Sequence, residues 1–197
     1  NVWDIYKNST IWATLFTNNT DLLEILGANA TGVTDIGSTT IGRGMCRGAT
    51  SLTSVGTCDF SSATVLAQLF RGCTSLAFVG RLNTASATSS LSMFQDCTAL
   101  TVAPTMDLSH VTNTQSMYAG ATALSSVPRY SLSAVTKSGA MFKDCISLTT
   151  VPLFDLSSLQ EAVSNSGGMF QGCTSLTAVP LFSLPSITSM GAMFRDC

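Results

Sequence analysis

Charged side chains are scarce in this chain, and their scarcity excludes several classes of function. Nine Lys and Arg and eleven Asp and Glu make up 10% of 197 residues, against roughly 25% in typical soluble domains. The basic residues are scattered singly and the formal net charge is −2, which excludes the basic patch of a nucleic-acid-binding protein. The one histidine, His110, has no second histidine beside it to support a metal site.

Long apolar runs and a signal peptide are also missing. No apolar run approaches the roughly 18 residues of a membrane-spanning helix, so no membrane span is predicted. The chain starts at Asn1 and stops at Cys197 inside a repeated phrase, and we interpret it as a piece of a longer protein. Ser and Thr supply more than a quarter of the residues, which predicts a polar but nearly neutral surface.

A repeated phrase, Met-Phe-x-x-Cys-x-Ser-Leu, organises most of the chain. A fixed period of 20 to 50 residues is typical of a solenoid, in which each coil stacks on the next. The phrase starts at Met45, Leu69, Met93, Met117, Met141, Met169 and Met193, so the spacing is 24 residues except for one 28-residue repeat at 141–168. This spacing predicts three segments: an N-terminal cap or junction at 1–14, a degenerate first repeat at 15–44, and regular repeats at 45–197 with the last one truncated.

Counting each repeat from its first residue, position 0, groups equivalent residues into columns. Apolar residues at positions 0, 1, 4 and 7 have the spacing of a short helix. The β-branched residues at positions 7 to 10, closed by Pro in most repeats, predict a short strand. The sequence therefore predicts an α/β repeat solenoid with one short parallel strand plus a short helical turn per 24-residue coil. Two repeats illustrate the predicted structural columns: Met93, Phe94, Cys97, Leu100, Met141, Phe142, Cys145 and Leu148.

The cysteines are predicted to be reduced and buried rather than bonded in disulfides. Stacked equivalent positions lie about 4.8 Å apart with parallel side chains, whereas a disulfide needs side chains inclined toward each other. A bond between Cys46 and Cys58, within one repeat, remains an alternative. Five cysteines share position 4, where Ala49 and Ala121 replace them: Cys73, Cys97, Cys145, Cys173 and Cys197. A single column does not supply the four convergent ligands of a zinc site, so no metal or cofactor is predicted.

Other polar residues have both a functional and a structural interpretation. A Thr column at position 5, interrupted by Ile146, fits hydroxyls that cap a turn, or a flat array that binds ice or a crystalline glycan. The four-residue insertion around 159–168 fits a tolerated loop or a recognition bulge. His110 is predicted to be an exposed loop residue. Asp96, Asp144 and Asp196 exchange with Gly at position 3, which favours a turn over paired catalytic acids.

The repeats are similar to a known family. The segments CTSLTAVPLFSLPSIT (173–188) and ITSMGAMFRDC (187–197) resemble the BspA-like, or Treponema pallidum type, leucine-rich repeats and the related DUF285 surface-protein repeats. The resemblance covers about 45–197, and 15–44 weakly. It implies a curved, leucine-rich-repeat-like solenoid of the kind found in surface adhesins and in phage tail and fibre proteins. It provides no shared catalytic residues.

These observations predict a non-catalytic recognition or adhesion solenoid, extracellular or on a cell or virion surface. It would bind a protein or glycan through an extended repeat face. The candidate binding face contains Phe78, Arg81, Arg129 and Tyr130. No nucleophile, base and orienting group occur together, so the chain is predicted not to be an enzyme. The alternative is a structural building block of a filament, phage tail fibre or other appendage, docking on copies of itself.

Overall fold

Short strands are the only regular elements in the computed structural model, which describes residues 2–6, 13–37, 43–164, 167–187, 190 and 192–197. The strands are β1 (Val2–Tyr6), β2 (Glu24–Asn29), β3 (Ser54–Asp59), β4 (Phe78–Val79), β5 (Leu82–Asn83), β6 (Val163–Ser164) and β7 (Gly167–Gly168). A parallel sheet has the order β1-β2-β3-β4, with β5 also paired to β3, and β6 and β7 form an antiparallel pair within the insertion. Parts of the predicted cap (7–12) and of the insertion (165–166) lie outside the described residues.

The predicted α/β class is wrong, because the described residues contain no helix. That part of the chain therefore has no helix that could cross a membrane. Each repeated phrase instead forms successive tight turns, in which Cys73 N–H bonds Phe70 O at 3.1 Å and Leu76 N–H bonds Cys73 O at 3.1 Å. Position 3 has a positive φ, 74° at Gly72 and 62° at Asp96, and a left-handed residue cannot continue a right-handed helix.

Consecutive repeats stack so that equivalent positions are adjacent. The N–H of Phe70, at position 1, donates to Met93 O at 2.9 Å, and the N–H of Gly72, at position 3, donates to Gln95 O at 2.8 Å. The same two bonds recur between the following repeats, because the alternate N–H groups of the turns point along the stack. Backbone groups that a helix would satisfy internally are thus satisfied by the next coil.

The segment at 15–44 makes equivalent contacts with the repeat that starts at Met45. Phe16 N–H donates to Met45 O at 2.7 Å, and Asn18 N–H donates to Arg47 O at 2.6 Å. Asn18 also has a left-handed backbone, with φ 57°. Asn is tolerated in this region because its side chain bonds locally.

The prediction of one strand in every coil is also wrong. Strands β3 and β4 occur in repeats with Gly at position 11, where Gly80 N–H donates to Val55 O at 2.8 Å. Later repeats have Pro there, starting at Pro104, and Pro has no N–H to donate. Beyond that point the strand column is reduced to isolated bridges, such as Val102 with Ser126. The Pro column therefore marks where the sheet stops rather than where each strand ends.

The core consists of buried columns with stacked aromatic rings at position 1. The ring centroids of Phe94 lie 5.3 Å from those of Phe70 and of Tyr118, with interplanar angles of 15° and 2°. Such stacking adds to the stability gained from burial. The eight residues named above from the repeats at 93 and 141 are all fully buried. The position-7 leucines from Leu52 to Leu148 are fully buried, and Leu176 is partly buried.

All seven cysteines are free, and only Cys197 is exposed. The prediction of reduced thiols is therefore confirmed, and the alternative Cys46–Cys58 bond is not formed. The thiol at position 4 donates to the position-1 carbonyl of the preceding coil, from Cys97 Sγ to Phe70 O at 3.1 Å for example. Burial raises the pKa of the Cys73 thiol to about 12, so such buried thiols stay protonated and unreactive.

Candidate binding surfaces

The predicted binding face is only partly at the surface. Phe78 is 61% exposed, and Arg81 and Arg129 are exposed. Val102 follows Phe78 at position 9 of the next coil and is 55% exposed. Position 9 thus carries an exposed apolar pair and position 12 two exposed arginines, and none of the described residues joins either arginine in an ion pair.

Tyr130 was wrongly predicted to belong to this face. It is 3% exposed, because position 13 forms a wall of the core and its ring stacks on Phe154 at 6.5 Å. The Tyr130 hydroxyl bonds the Tyr118 hydroxyl at 2.7 Å and donates to Pro104 O at 2.8 Å. Its polar atom is satisfied inside the protein, so it needs no contact with solvent.

Aspartates complete this surface, which we call the strand-side face: Phe78, Val102, Arg81, Arg129, Asp59, Asp107 and Asp155. Asp59 accepts the N–H of Ser61 at 3.0 Å, and Asp107 accepts that of Ser109 at 2.9 Å. Hydrogen bonds from Ser61 and Ser109, respectively, lower the pKa of these two carboxyl groups. Both are therefore ionised at neutral pH.

A second surface lies on the turns of the repeated phrases. It is a polar groove of about 550 Å³, which we call the anchor groove. Its lining includes Arg71, Ser92, Gln95, Asp96, Gln115, Ser116, Ala119, Gly120, Lys143 and Asp144. Positions 2 and 3 are both small in one coil, as Ala119 and Gly120, whereas the two flanking coils carry Gln95 with Asp96 and Lys143 with Asp144. The groove is the space left by these missing side chains.

Charges in the anchor groove are only partly neutralised. Lys143 Nζ lies 3.6 Å from Asp144 Oδ2, but Arg71 and Asp96 form no ion pair with any described residue. Asp96 Oδ1 lies over Gly120, where an added Cβ would come within 2.6 Å of it. Within the described part of the chain no three His, Cys, Asp or Glu side chains form a metal-binding group.

The position-3 aspartates occupy turns, as predicted. The φ angles of Asp96, Asp144 and Asp196 are 62°, 59° and 61°, and the glycines that replace them are also left-handed. Gly and Asp are among the residues that tolerate this conformation. Their exchange in the sequence was thus a signal for the left-handed turns that interrupt the predicted helix.

His110 is exposed, as predicted. Its Nδ1 lies 3.2 Å from Ser109 Oγ, and Asp107 is nearby in sequence. The Asp107 carboxylate is engaged by the backbone N–H of Ser109, whereas the acid of a hydrolytic triad bonds the imidazole. The three residues belong to one exposed turn.

The threonine hydroxyls at position 5 connect coils instead of capping turns. Thr98 Oγ1 donates to Thr74 O at 3.1 Å, in the preceding coil. Sequence reasoning missed a second column of this kind at position 19, where Thr88 Oγ1 donates to Thr64 O at 3.0 Å and Thr112 Oγ1 to Thr88 O at 3.3 Å. The signal was present in the sequence as Thr recurring every 24 residues.

The model of one protein family matches the chain over residues 40–152 and 102–197, which include both surfaces. The chain belongs to the family described as Mycoplasma protein of unknown function, DUF285. No curated protein and no solved structure matches it. The resemblance to DUF285 repeats is therefore confirmed at the level of the family, whose description names no activity.

Proposed function

We propose that this DUF285 protein is a non-catalytic recognition module that binds a glycan in the anchor groove, at a cell or virion surface. The observation that carries the proposal is the set of polar groups with unused hydrogen-bonding capacity in one groove. Arg71 donates, Asp96 accepts, and the amides of Gln95 and Gln115 do both. The surface location is supported by the resemblance to BspA-like repeats.

A glycan fits this lining better than a protein does. Sugar hydroxyls both donate and accept hydrogen bonds, so they match a groove in which donors and acceptors alternate. Protein-binding hot spots are enriched in Trp, Tyr and Arg, and the groove lining contains no aromatic residue. From Arg71 to Lys143 the groove extends over three coil steps, about 15 Å at about 4.8 Å per step, which suits a short oligosaccharide.

Filling the groove tests the proposal. The purified chain is screened on a glycan array, and a binding glycan is then titrated by calorimetry. Ala119→Gln places in the groove the residue that Gln95 and Gln171 provide at the same position, so the fold is expected to tolerate it. We expect this variant to lose binding, whereas Gln171→Ala, outside the groove lining, keeps it.

Asp96→Asn is a second variant, which removes the unpaired charge but keeps a residue that tolerates positive φ. We expect it to weaken binding without changing the unfolding midpoint. Equal binding by Ala119→Gln and the parent chain, or an array on which no glycan binds, would contradict the proposal. The alternative function, a structural building block docking on copies of itself, is favoured by a different observation, the charge pattern of the strand-side face.

A further inference from the structure

We infer that the strand-side face binds a second copy of this chain in an antiparallel arrangement. Its charges change sign at every coil, from Asp59 to Arg81, Asp107, Arg129 and Asp155. Arg81 lines one surface depression with Asp59 and another with Asp107, so the row is continuous over these three residues, and Arg129 and Asp155 extend it at the equivalent positions of the next two coils. None of the five forms an ion pair with a described residue. The Asp59 carboxylate also accepts hydrogen bonds from Asn83 Nδ2 at 3.1 Å and Thr31 Oγ1 at 3.3 Å, but these neutral donors leave its charge uncompensated, so all five charges remain available to a partner.

A row of alternating sign is complementary to itself in an antiparallel register. When the twofold axis lies between the coils that start at Leu69 and Met93, Asp59 faces Arg129 of the second copy. In the same register Arg81 faces Asp107 of the second copy. The symmetry repeats both contacts, as it does in every interface that uses the same patch twice.

The apolar pair on this face agrees with the same register. Phe78 and Val102 occupy position 9 of the two coils beside the twofold axis, so Phe78 of each copy meets Val102 of the other. Both side chains are more than half exposed in the single chain, and their burial supplies a favourable hydrophobic contribution. A slip of one coil instead places Asp59 opposite Asp107 and Arg81 opposite its own equivalent, which like-charge repulsion disfavours.

The sign alternation selects a second copy over a uniformly charged ligand. An acidic peptide or a sulfated glycan that contacts Arg81 and Arg129 also meets the carboxylates of Asp59, Asp107 and Asp155. A basic ligand meets the two arginines. Among charged partners, one whose charges alternate at the coil spacing avoids these repulsions and pairs with every charge it meets, and this chain is such a partner.

Sedimentation equilibrium over a range of protein concentration and salt tests the inference. We expect a reversible monomer–dimer equilibrium that shifts toward monomer at high salt, because the ion pairs are screened. The double variant Arg81→Glu/Arg129→Glu makes the row acidic throughout and is expected to remain monomeric. The triple variant Asp59→Asn/Asp107→Asn/Asp155→Asn leaves only the arginines charged and is also expected to lose the dimer.

The acidic and basic variants together show whether a dimer is lost because charges no longer pair or because the chain no longer folds. Asn keeps the turn, since Asn29 accepts the N–H of Thr31 at 3.1 Å in the equivalent place. An equimolar mixture of the acidic and basic variants is expected to form a heterodimer at a concentration where neither variant dimerises alone. Misfolded chains would not recover in this way.

Cross-linking tests the register. Ser54 and Ser126 occupy position 9 of the coils that start at Met45 and Met117, which face each other in the inferred dimer. In a Cys197→Ala background, Ser54→Cys and Ser126→Cys chains are expected to cross-link under oxidation when mixed, and not when either is alone.

Three results overturn the inference. They are a chain that stays monomeric at every concentration, an association that the charge variants leave unchanged (as contacts between coil ends would give), and a mixture of variants that fails to associate. The inference does not rest on the glycan proposal, because Ala119→Gln lies on the anchor groove and is expected to leave the monomer–dimer equilibrium as it is.

Discussion

The hydroxyl groups of two buried tyrosines form a hydrogen-bond chain, and the two tyrosines are expected to contribute unequally to stability. Tyr118 and Tyr130 are joined through their hydroxyls at 2.7 Å, and the Tyr130 hydroxyl also donates to Pro104 O at 2.8 Å. Burial is the main cause that raises the pKa of both phenols, so both remain neutral. The order of donors makes Tyr130 the central member, and its loss leaves two partners unsatisfied.

The loss of unfolding free energy expected from the structure differs between the two Tyr→Phe substitutions. Tyr130→Phe leaves the Tyr118 hydroxyl and the Pro104 carbonyl without a partner, and we expect it to lower the unfolding free energy by about 2 to 3 kcal/mol. Tyr118→Phe gives position 1 the Phe of most other repeats and removes only one donor, which costs about 1 kcal/mol or less. With both substitutions no hydroxyl is orphaned, so the double variant is expected to lose about 1 to 2 kcal/mol, less than Tyr130→Phe alone.

Urea unfolding of the four chains of this double-mutant cycle, monitored by circular dichroism, measures the coupling. In the Tyr130→Phe background, Tyr118→Phe is expected to restore stability. Additive losses would refute the reasoning, because they would mean that the two hydroxyls are satisfied independently. Phenolate absorbance at alkaline pH supplies a control. The chain has a third tyrosine, Tyr6, and the contributions of Tyr118 and Tyr130 are expected to appear only when the chain unfolds.

Three further predictions follow from backbone, thiols and carboxylates. A thiol reagent is expected to label Cys197 in the folded chain and the six buried cysteines only after denaturation; burial raises the pKa of the Cys197 thiol, so its labelling is expected to be slower than that of a free thiol. Gly120→Ala is expected to cost about 1 to 2 kcal/mol in urea unfolding, because φ is 75° and the new Cβ meets Asp96 Oδ1; the added change Asp96→Gly should recover part of this loss. The folded state lowers the pKa of Asp59 and Asp107, so their stabilisation is present above the unfolded pKa, about 3.9. It is lost as pH falls below that value through the folded pKa values, and an acid titration of the Asp59→Asn/Asp107→Asn chain is expected to show a shallower decline.

The periodicity of the sequence predicted which residues share a column, but not the backbone that joins them. Apolar residues at positions 0, 1, 4 and 7 fit a helix and also fit a series of three-residue turns. The decisive evidence was at position 3, where only residues tolerant of positive φ occur, as at Gly72, Asp96 and Asn18. Local spacing alone could not show that alternate N–H groups bond the next coil, because the acceptor lies 23 residues further along the chain, as Met93 does from Phe70.

The burial of a side chain was predicted correctly where all residues of its column were compared. Cys97 was correctly assigned as free and buried because Ala121 replaces it in the same column. Tyr130 was misplaced because it was considered as a single aromatic residue near Arg129. Its column contains Leu82 and Phe154, both buried, and that comparison predicts burial for Tyr130 as well.

The two candidate surfaces arise from variation at positions outside the constant core columns of the repeat. Core columns change little because each substitution there alters packing in a dense interior. Positions outside those columns vary at smaller cost in stability, so the small, buried Ala119 leaves a groove where a neighbouring coil has the half-buried Gln95. The groove uses positions 2 and 3 and the residues just before each repeated phrase, such as Gln115 and Ser116. The alternating charges use position 12 for the arginines and position 14 for the aspartates. The two surfaces share none of the residues named for them, so Ala119→Gln and the charge variants of the strand-side face are expected to act independently.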